Sequence, residues 1–259
     1  MVEYLPKFPA FLLVFVRVTS FFLMMPLFSY RTIPTHYKIG LGFFLSWIMF
    51  FTIDAPTLDI DGAYFLLILK EALVGISIGF MAYLILSAIQ IAGGLIDFQM
   101  GFAIANVIDP QTGAQSPLTG QYFYIIGLMF LLAVNGHHLL LDGIFYSYKF
   151  IPLQQAWLPF SHGNVMEYII QSFNSMFIIA FQMSIPVVGS LFLVDIALGI
   201  VARTVPQLNI FVVGIPVKIV VSFIVLVSVM SVMIMVVSQL FNTMFDTMRG
   251  LMDLLGGSS

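Results

Sequence analysis

Cysteine is absent from the 259 residues, which excludes disulfides and thiolate-bound metals and leaves the redox compartment unreadable. Charge is nearly as scarce. Asp, Glu, Lys and Arg make up 8% of the chain, where soluble domains carry about 25%. The formal net charge of -3 is scattered, and no basic patch points to nucleic acid. The phosphate-cradling G-x-x-x-x-G-K-[ST], the metal-binding H-E-x-x-H and the nucleophile elbow G-x-S-x-G are all missing. No nucleophile stands beside a base. The chain is therefore expected not to be an enzyme and to hold no cofactor or metal. The marks of a cleaved signal are lacking too. Glu3 sits in the would-be basic region, Arg17 interrupts the apolar stretch, and no A-x-A-like site follows.

What is present is apolar. Hydrophobic residues are 61% of the chain, and the runs 72–96, 168–194 and 219–245 contain no charged residue. Each exceeds the ~20 residues that cross a bilayer as a helix. An all-α, polytopic membrane protein built of apolar helical hairpins follows, because the runs are too long and too little alternating for barrel strands. The expected spans are 8–30, a short arm 39–53, 62–96, 122–141, 168–194 and 219–245. A loop of Gly, Pro, Gln and Thr fills 109–121. The connector 142–167, with Trp157 and several rings, suits an interface. No fixed-period repeat is visible, but the texture shifts near 168, from short arms to one long hairpin. Arg31 and Lys38 in one turn, and Arg203 and Lys218 in another, place 31–38 and 195–218 inside and both termini outside.

A few residues stand out. Gly75 and Gly79 have the G-x-x-x-G spacing that lets helix backbones approach closely. Lys70 and Glu71 are adjacent, do not face each other on a helix, and are expected to pair with other elements. Arg17 is a charge in mid-span and is expected to be buried against protein or to face water. Asp97, Asp195 and Arg203 lie at the ends of apolar runs, where snorkelling is cheap. His137 and His138 point ~100° apart on a continuous helix, which is poor for shared metal ligation.

Several segments together carry a resemblance. They are KEALVGISIGF (70–80), AGGLIDFQMGFAIANVIDPQTGAQSPLTGQ (92–121), NGHHLLLDGIFYSYKFIPL (135–153) and ARTVPQLNIFVVGIPVKI (202–219). In order and spacing the chain resembles the FliR family of flagellar biosynthesis proteins, whose counterparts serve virulence type III secretion. The resemblance implies a subunit of a protein-export gate. It implies FliP and FliQ subunits as partners around a protein-conducting pore, FlhB and FlhA of the export apparatus nearby, and unfolded flagellar proteins as cargo. It also implies a multi-pass place in the bacterial cell membrane, at the flagellar basal body. By the same likeness 1–170 is a FliP-like part and 171–259 a FliQ-like helical hairpin.

The family's pore plug maps onto 101–121, with Met100, Phe102, Ile104, Val107, Asp109 and Pro110 as its gate residues. Ile104 and Val107 stand where bulky aromatic residues are expected, so apolar character is kept and ring size lost. The turn bearing Arg203, Pro206, Asn209 and Lys218 is expected to contact an FlhB-like partner. Two rival readings remain at this point: a secondary transporter using Arg17, Asp97 and the His pair, and a purely structural membrane scaffold. A transporter should show related halves with broken helices, and no such symmetry is visible.

Overall fold

The computed structural model describes residues 7–28, 33–53, 56–58, 60–102, 117–155, 157–158, 163–207 and 209–257. All regular structure among them is helical. The elements are α1 (Phe8–Met24), α2 (Thr35–Thr52), α3 (Gly62–Met100), α4 (Leu118–Ala133), α5 (Gly136–Phe150), α6 (Gly163–Thr204) and α7 (Ile210–Gly256). Three helices, α3, α6 and α7, are long and apolar enough to cross a membrane, and α4 with α5 passes that test only as a bent pair. The chain is an integral membrane protein. Contacts divide it into two compact units, 1–86 with 132–174 and 242–259, and 87–131 with 175–241.

In the first unit α1 is the buried centre. It starts on a proline at its first turn and stops at Met24, ahead of Pro26, which disfavours helix in the residue before it. The expected span 8–30 is therefore shorter than a full crossing. Phe11 meets Phe43, Trp47 and Phe50 of α2 edge-on, with ring centroids 5.6, 5.6 and 5.8 Å apart. Such T-shaped pairs set the negative face of one ring against the positive edge of the other. On the opposite side α1 touches α3 backbone to backbone. A Cβ on Gly75 would run into the carbonyl oxygen of Arg17, and one on Gly79 would lie 2.9 Å from both Met24 Cβ and Phe21 O.

In the second unit, α3 and α4 cross where Gly93 faces Gly120, so closely that a side chain on either would overlap the other backbone. Phe130 of α4 meets Phe241 of α7 at 5.7 Å. The best apolar window of α3 is 61% buried, whereas those of α6 and α7 are only 11% and 17% buried. These two helices thus offer most of their apolar surface outward.

The run 122–141 is not one span. The helix breaks after Ala133, and Asn135 sits in the left-handed region at φ 58 before Gly136 opens α5. Asn-Gly is a turn dipeptide because both residues tolerate that conformation. The connectors are also shorter than the charges suggest. Helix α5 occupies most of the front of 142–167, and within 195–218 the residues 195–204 and 210–218 are helical. Pro186 and Pro216 lie inside helices and end neither, as is tolerated in apolar helices whose neighbours satisfy the freed groups.

The glycine crossing gives a direct test. Gly75→Ala should lower the unfolding temperature in detergent, by an amount matching about 1–3 kcal/mol of overpacking. Gly40→Ala in α2, where a Cβ meets nothing within 4 Å, should leave it unchanged or raise it, since Ala is the better helix former. Equal melting of the two variants would contradict the crossing.

Candidate functional site

The densest chemistry lies in the first unit, around a fully buried Arg17. Its Nε donates to Glu71 Oε2, and Nη2 donates to Glu71 Oε1 at 3.0 Å. Nη1 reaches Ser147 Oγ at 3.0 Å, and Nη2 also reaches the carbonyl oxygen of Ile151 at 2.9 Å. The guanidinium carbon lies 4.0 Å from the centre of the Tyr148 ring. Lys70 Nζ is paired with Glu71 Oε1 at 2.5 Å and donates to the carbonyl oxygens of Pro152 at 3.0 Å and Leu153 at 3.4 Å. Lys70 and Glu71 therefore do meet each other as well as other elements, because both long side chains turn toward the same polar point.

Two cations share one carboxylate here. The excess positive charge is met by carbonyl groups at and just beyond the C-terminal end of α5, where the helix dipole is negative. Arg17 lies in α1, Glu71 in α3 and Ser147 in α5, so one cluster fixes three helices. Tyr64 and Tyr148 add hydroxyl bonds to the carbonyl oxygens of Pro9 and Val14 on α1, at 2.9 and 3.3 Å. The cluster is closed and saturated, which suits a tie between helices and not a site for a reacting substrate.

A second polar junction lies in the other unit at Asp97, which is 3% exposed. Its carboxylate accepts from Thr119 Oγ1, and from Thr119 N at 3.1 Å, at the N-terminal end of α4, where a negative charge meets free N–H groups and the positive end of the dipole. Its own carbonyl oxygen accepts the Phe102 N–H at 3.0 Å while Gly101 N–H bonds Phe98 O at 3.2 Å. With Gly101 at φ 91, this is the Schellman ending of a helix. One residue thus holds both Phe102 and Thr119. Of the expected gate residues, Met100 is fully buried at the end of α3 and Phe102 is half-buried. Ile104, Val107, Asp109 and Pro110 lie outside the described residues.

Asp195 of α6 binds Lys218 of α7 as an ion pair and accepts from Gln99 Nε2 of α3 at 2.8 Å. Lys218 is consequently engaged within the chain. Arg203, Pro206 and Asn209 lie on or beside the link 205–209 and are exposed, and the Asn209 carbonyl accepts from Val212 and Val213 to start α7. His137 and His138 do not diverge as on a continuous helix. They stand at the broken start of α5 with ring centroids 4.1 Å apart. Among the described residues no group of three His, Asp or Glu is placed to hold a metal ion. Sequence reasoning missed Thr119, Ser147 and Tyr148. All three fall within the quoted motifs, but no spacing joins them to Asp97 or Arg17, which lie on other elements.

The comparisons with known proteins now bear on this geometry. Residues 8–244 match the family model described as bacterial export proteins, family 1. The chain belongs to that family. It is 60% identical over 252 residues to the flagellar biosynthetic protein FliR of Bacillus subtilis (strain 168), covering 97% of each chain. It is 25% identical over 232 residues to the FliR of Escherichia coli (strain K12), covering 89% of this chain and 88% of that one. The Yop proteins translocation protein T of Yersinia pestis is 28% identical over 166 residues, with 64% of this chain and 63% of that one covered. The resemblance to FliR read from the motifs is thereby established, and the family is one of export components and not of enzymes.

Removing one partner from a buried ion pair leaves the others charged and unpaired. Glu71→Ala should destabilise the chain by about 3–5 kcal/mol. Arg17→Lys should also destabilise, because an ammonium cannot reproduce the bidentate fork. Thermal or denaturant unfolding in detergent measures both, and wild-type stability of Glu71→Ala would refute the role of the cluster.

Proposed function

We propose that the chain is a membrane subunit of the flagellar type III export gate, forming the protein-conducting pore with FliP- and FliQ-like subunits and needed for export of flagellar building proteins. The observation that carries this reading is the 60% identity to a flagellar biosynthetic protein over 97% of both chains. The more distant likeness to a Yersinia translocation protein supports a shared type III export role, and the higher identity favours the flagellar system over the virulence one. On this reading 1–170 is the FliP-like part and 171–259 the FliQ-like hairpin. FlhB and FlhA are neighbours at the basal body, and the exposed link with Arg203, Pro206 and Asn209 faces the cytoplasm toward an FlhB-like partner.

The gate falls to the run that leaves α3 at Phe102 and rejoins α4 at Pro117. Its physical rationale is an apolar strip, Ile104, Val107 and Ile108, followed by an uncharged stretch from Gln111 to Gln121. A narrow apolar ring closes a pore by excluding water. The clasp at Asp97 supports the reading, since a run held at both ends by one residue starts and finishes at the same place.

Deleting 107–113 should leave the complex assembled yet leaky to ions or small solutes, as read by membrane conductance and by growth in high salt. A shortened chain that assembles, exports normally and leaks nothing would sink the plug assignment. Failure of the intact chain to co-purify with FliP- and FliQ-like subunits would sink gate membership itself.

A further inference from the structure

Helix α5 and the C-terminal turns of α7 lie side by side in the first unit, with Gly143 opposite Met248 and Gly256 against the Phe150 carbonyl. Between them is a cavity of about 460 Å³, open on one side. Met248 and Met252 form part of its floor, and both are almost fully buried. Methionine floors adapt to the shape of what fills them. Gly143 leaves the α5 wall without a side chain there and deepens the hollow. Leu139 lines one end and is half exposed.

The walls carry opposite charges, Asp142 on α5 and Arg249 on α7. Both are exposed, and among the described residues neither has an ion-pair or hydrogen-bond partner. Lys149, further along α5, does not line the cavity, and its ammonium sits 4.7 Å from the centre of the Tyr146 ring. The outward faces of α6 and α7 within 168–194 and 219–245 carry no charge at all. This groove is thus a different kind of surface.

We propose that the groove seats one helix of a partner membrane protein, which fills the hollow with apolar side chains and presents a Lys or Arg to Asp142 and an Asp or Glu to Arg249. Three occupants compete. An acyl chain fills the hollow but leaves both charges unpaired against hydrocarbon, which is costly. A second copy of this chain can pair Asp142 with Arg249 across a two-fold axis, but it brings the same concavity, and two hollows do not fill each other. A helix from another protein meets both demands, in the manner of an amphipathic helix in an apolar groove. The inference does not depend on the export-gate reading, since it rests on the shape and charges of this unit alone.

A photo-cross-linking residue, p-benzoylphenylalanine, placed at Leu139 of the full-length chain in native membranes tests it. The expected adduct maps to one helix of a different membrane protein, with a base and an acid flanking the cross-linked position. Its yield should fall about tenfold in Asp142→Lys and in Arg249→Glu, stay unchanged in Lys149→Gln, and recover in Asp142→Lys when the mapped base is reversed to an acid. Each variant is first checked for wild-type elution and melting in detergent, with Asp142→Asn and Arg249→Gln replacing any that misfolds. Adducts to lipid, adducts to a second copy, no adduct, or a yield indifferent to both charge changes would each overturn the proposal.

Discussion

The pairing of Arg17 with Glu71 is the interaction on which the first unit depends. In a chain this apolar, packing alone discriminates poorly between registers, because one Leu, Ile or Val face resembles the next. A buried guanidinium is different. It must find its carboxylate, and it can do so in only one alignment of α1, α3 and α5. Desolvating the ions offsets much of their attraction, so the cluster contributes less to net stability than to choosing a single arrangement. The surplus positive charge settles at the end of α5 because carbonyl groups there lack helical partners. The site is therefore built from a charge imbalance and a helix terminus together, and neither would be stable in the apolar interior alone.

Glycine contributes the other constraint, and each unit has a crossing that shows it. At Gly75 and Gly79 it lets α1 lie against α3, close enough for the Arg17 side chain to reach Glu71. At Gly93 and Gly120 it lets α4 start beside the end of α3, close enough for the Asp97 carboxylate to cap Thr119. In both places a backbone approach brings a short polar reach within range. The order of cause runs from absent side chains, to close helices, to paired charges.

How far the sequence reveals this differs from one residue to the next. Uncharged runs longer than a bilayer crossing identify α3, α6 and α7, because length and apolarity are properties of a single segment. Arg17 stands out as a buried charge for the same reason. Apart from Glu71 its partners do not, since Ser147 and the Ile151 carbonyl lie far along the chain and become neighbours only when helices pack. The pair Gly75 and Gly79 is visible as a spacing within one helix, whereas Gly93 and Gly120 sit on two and have no common period. The break between α4 and α5 had a local signal in Asn135-Gly136. The apolar residues on both sides hid it, because hydropathy averaged over a span does not register a single left-handed residue.

The long helices α6 and α7 show what remains for other molecules to complete. Several of their hydroxyls are satisfied internally. Ser172, Ser190, Ser222 and Ser228 donate to carbonyl groups within their own helix, at 2.8, 2.7, 2.7 and 2.8 Å. Such back-bonding removes the cost of placing a polar side chain in apolar surroundings. At these four positions the helices can lie against acyl chains or against another helix without leaving the hydroxyl unmet. Within the second unit the polar hold on this pair is the Asp195, Lys218 and Gln99 junction near their connected ends. With only 11% and 17% of their best apolar stretches buried in the chain, the two helices leave most of their surface to lipid or to neighbouring subunits. Such faces suit a component of an export apparatus, the class to which the family belongs, whereas α3 is already covered within the chain.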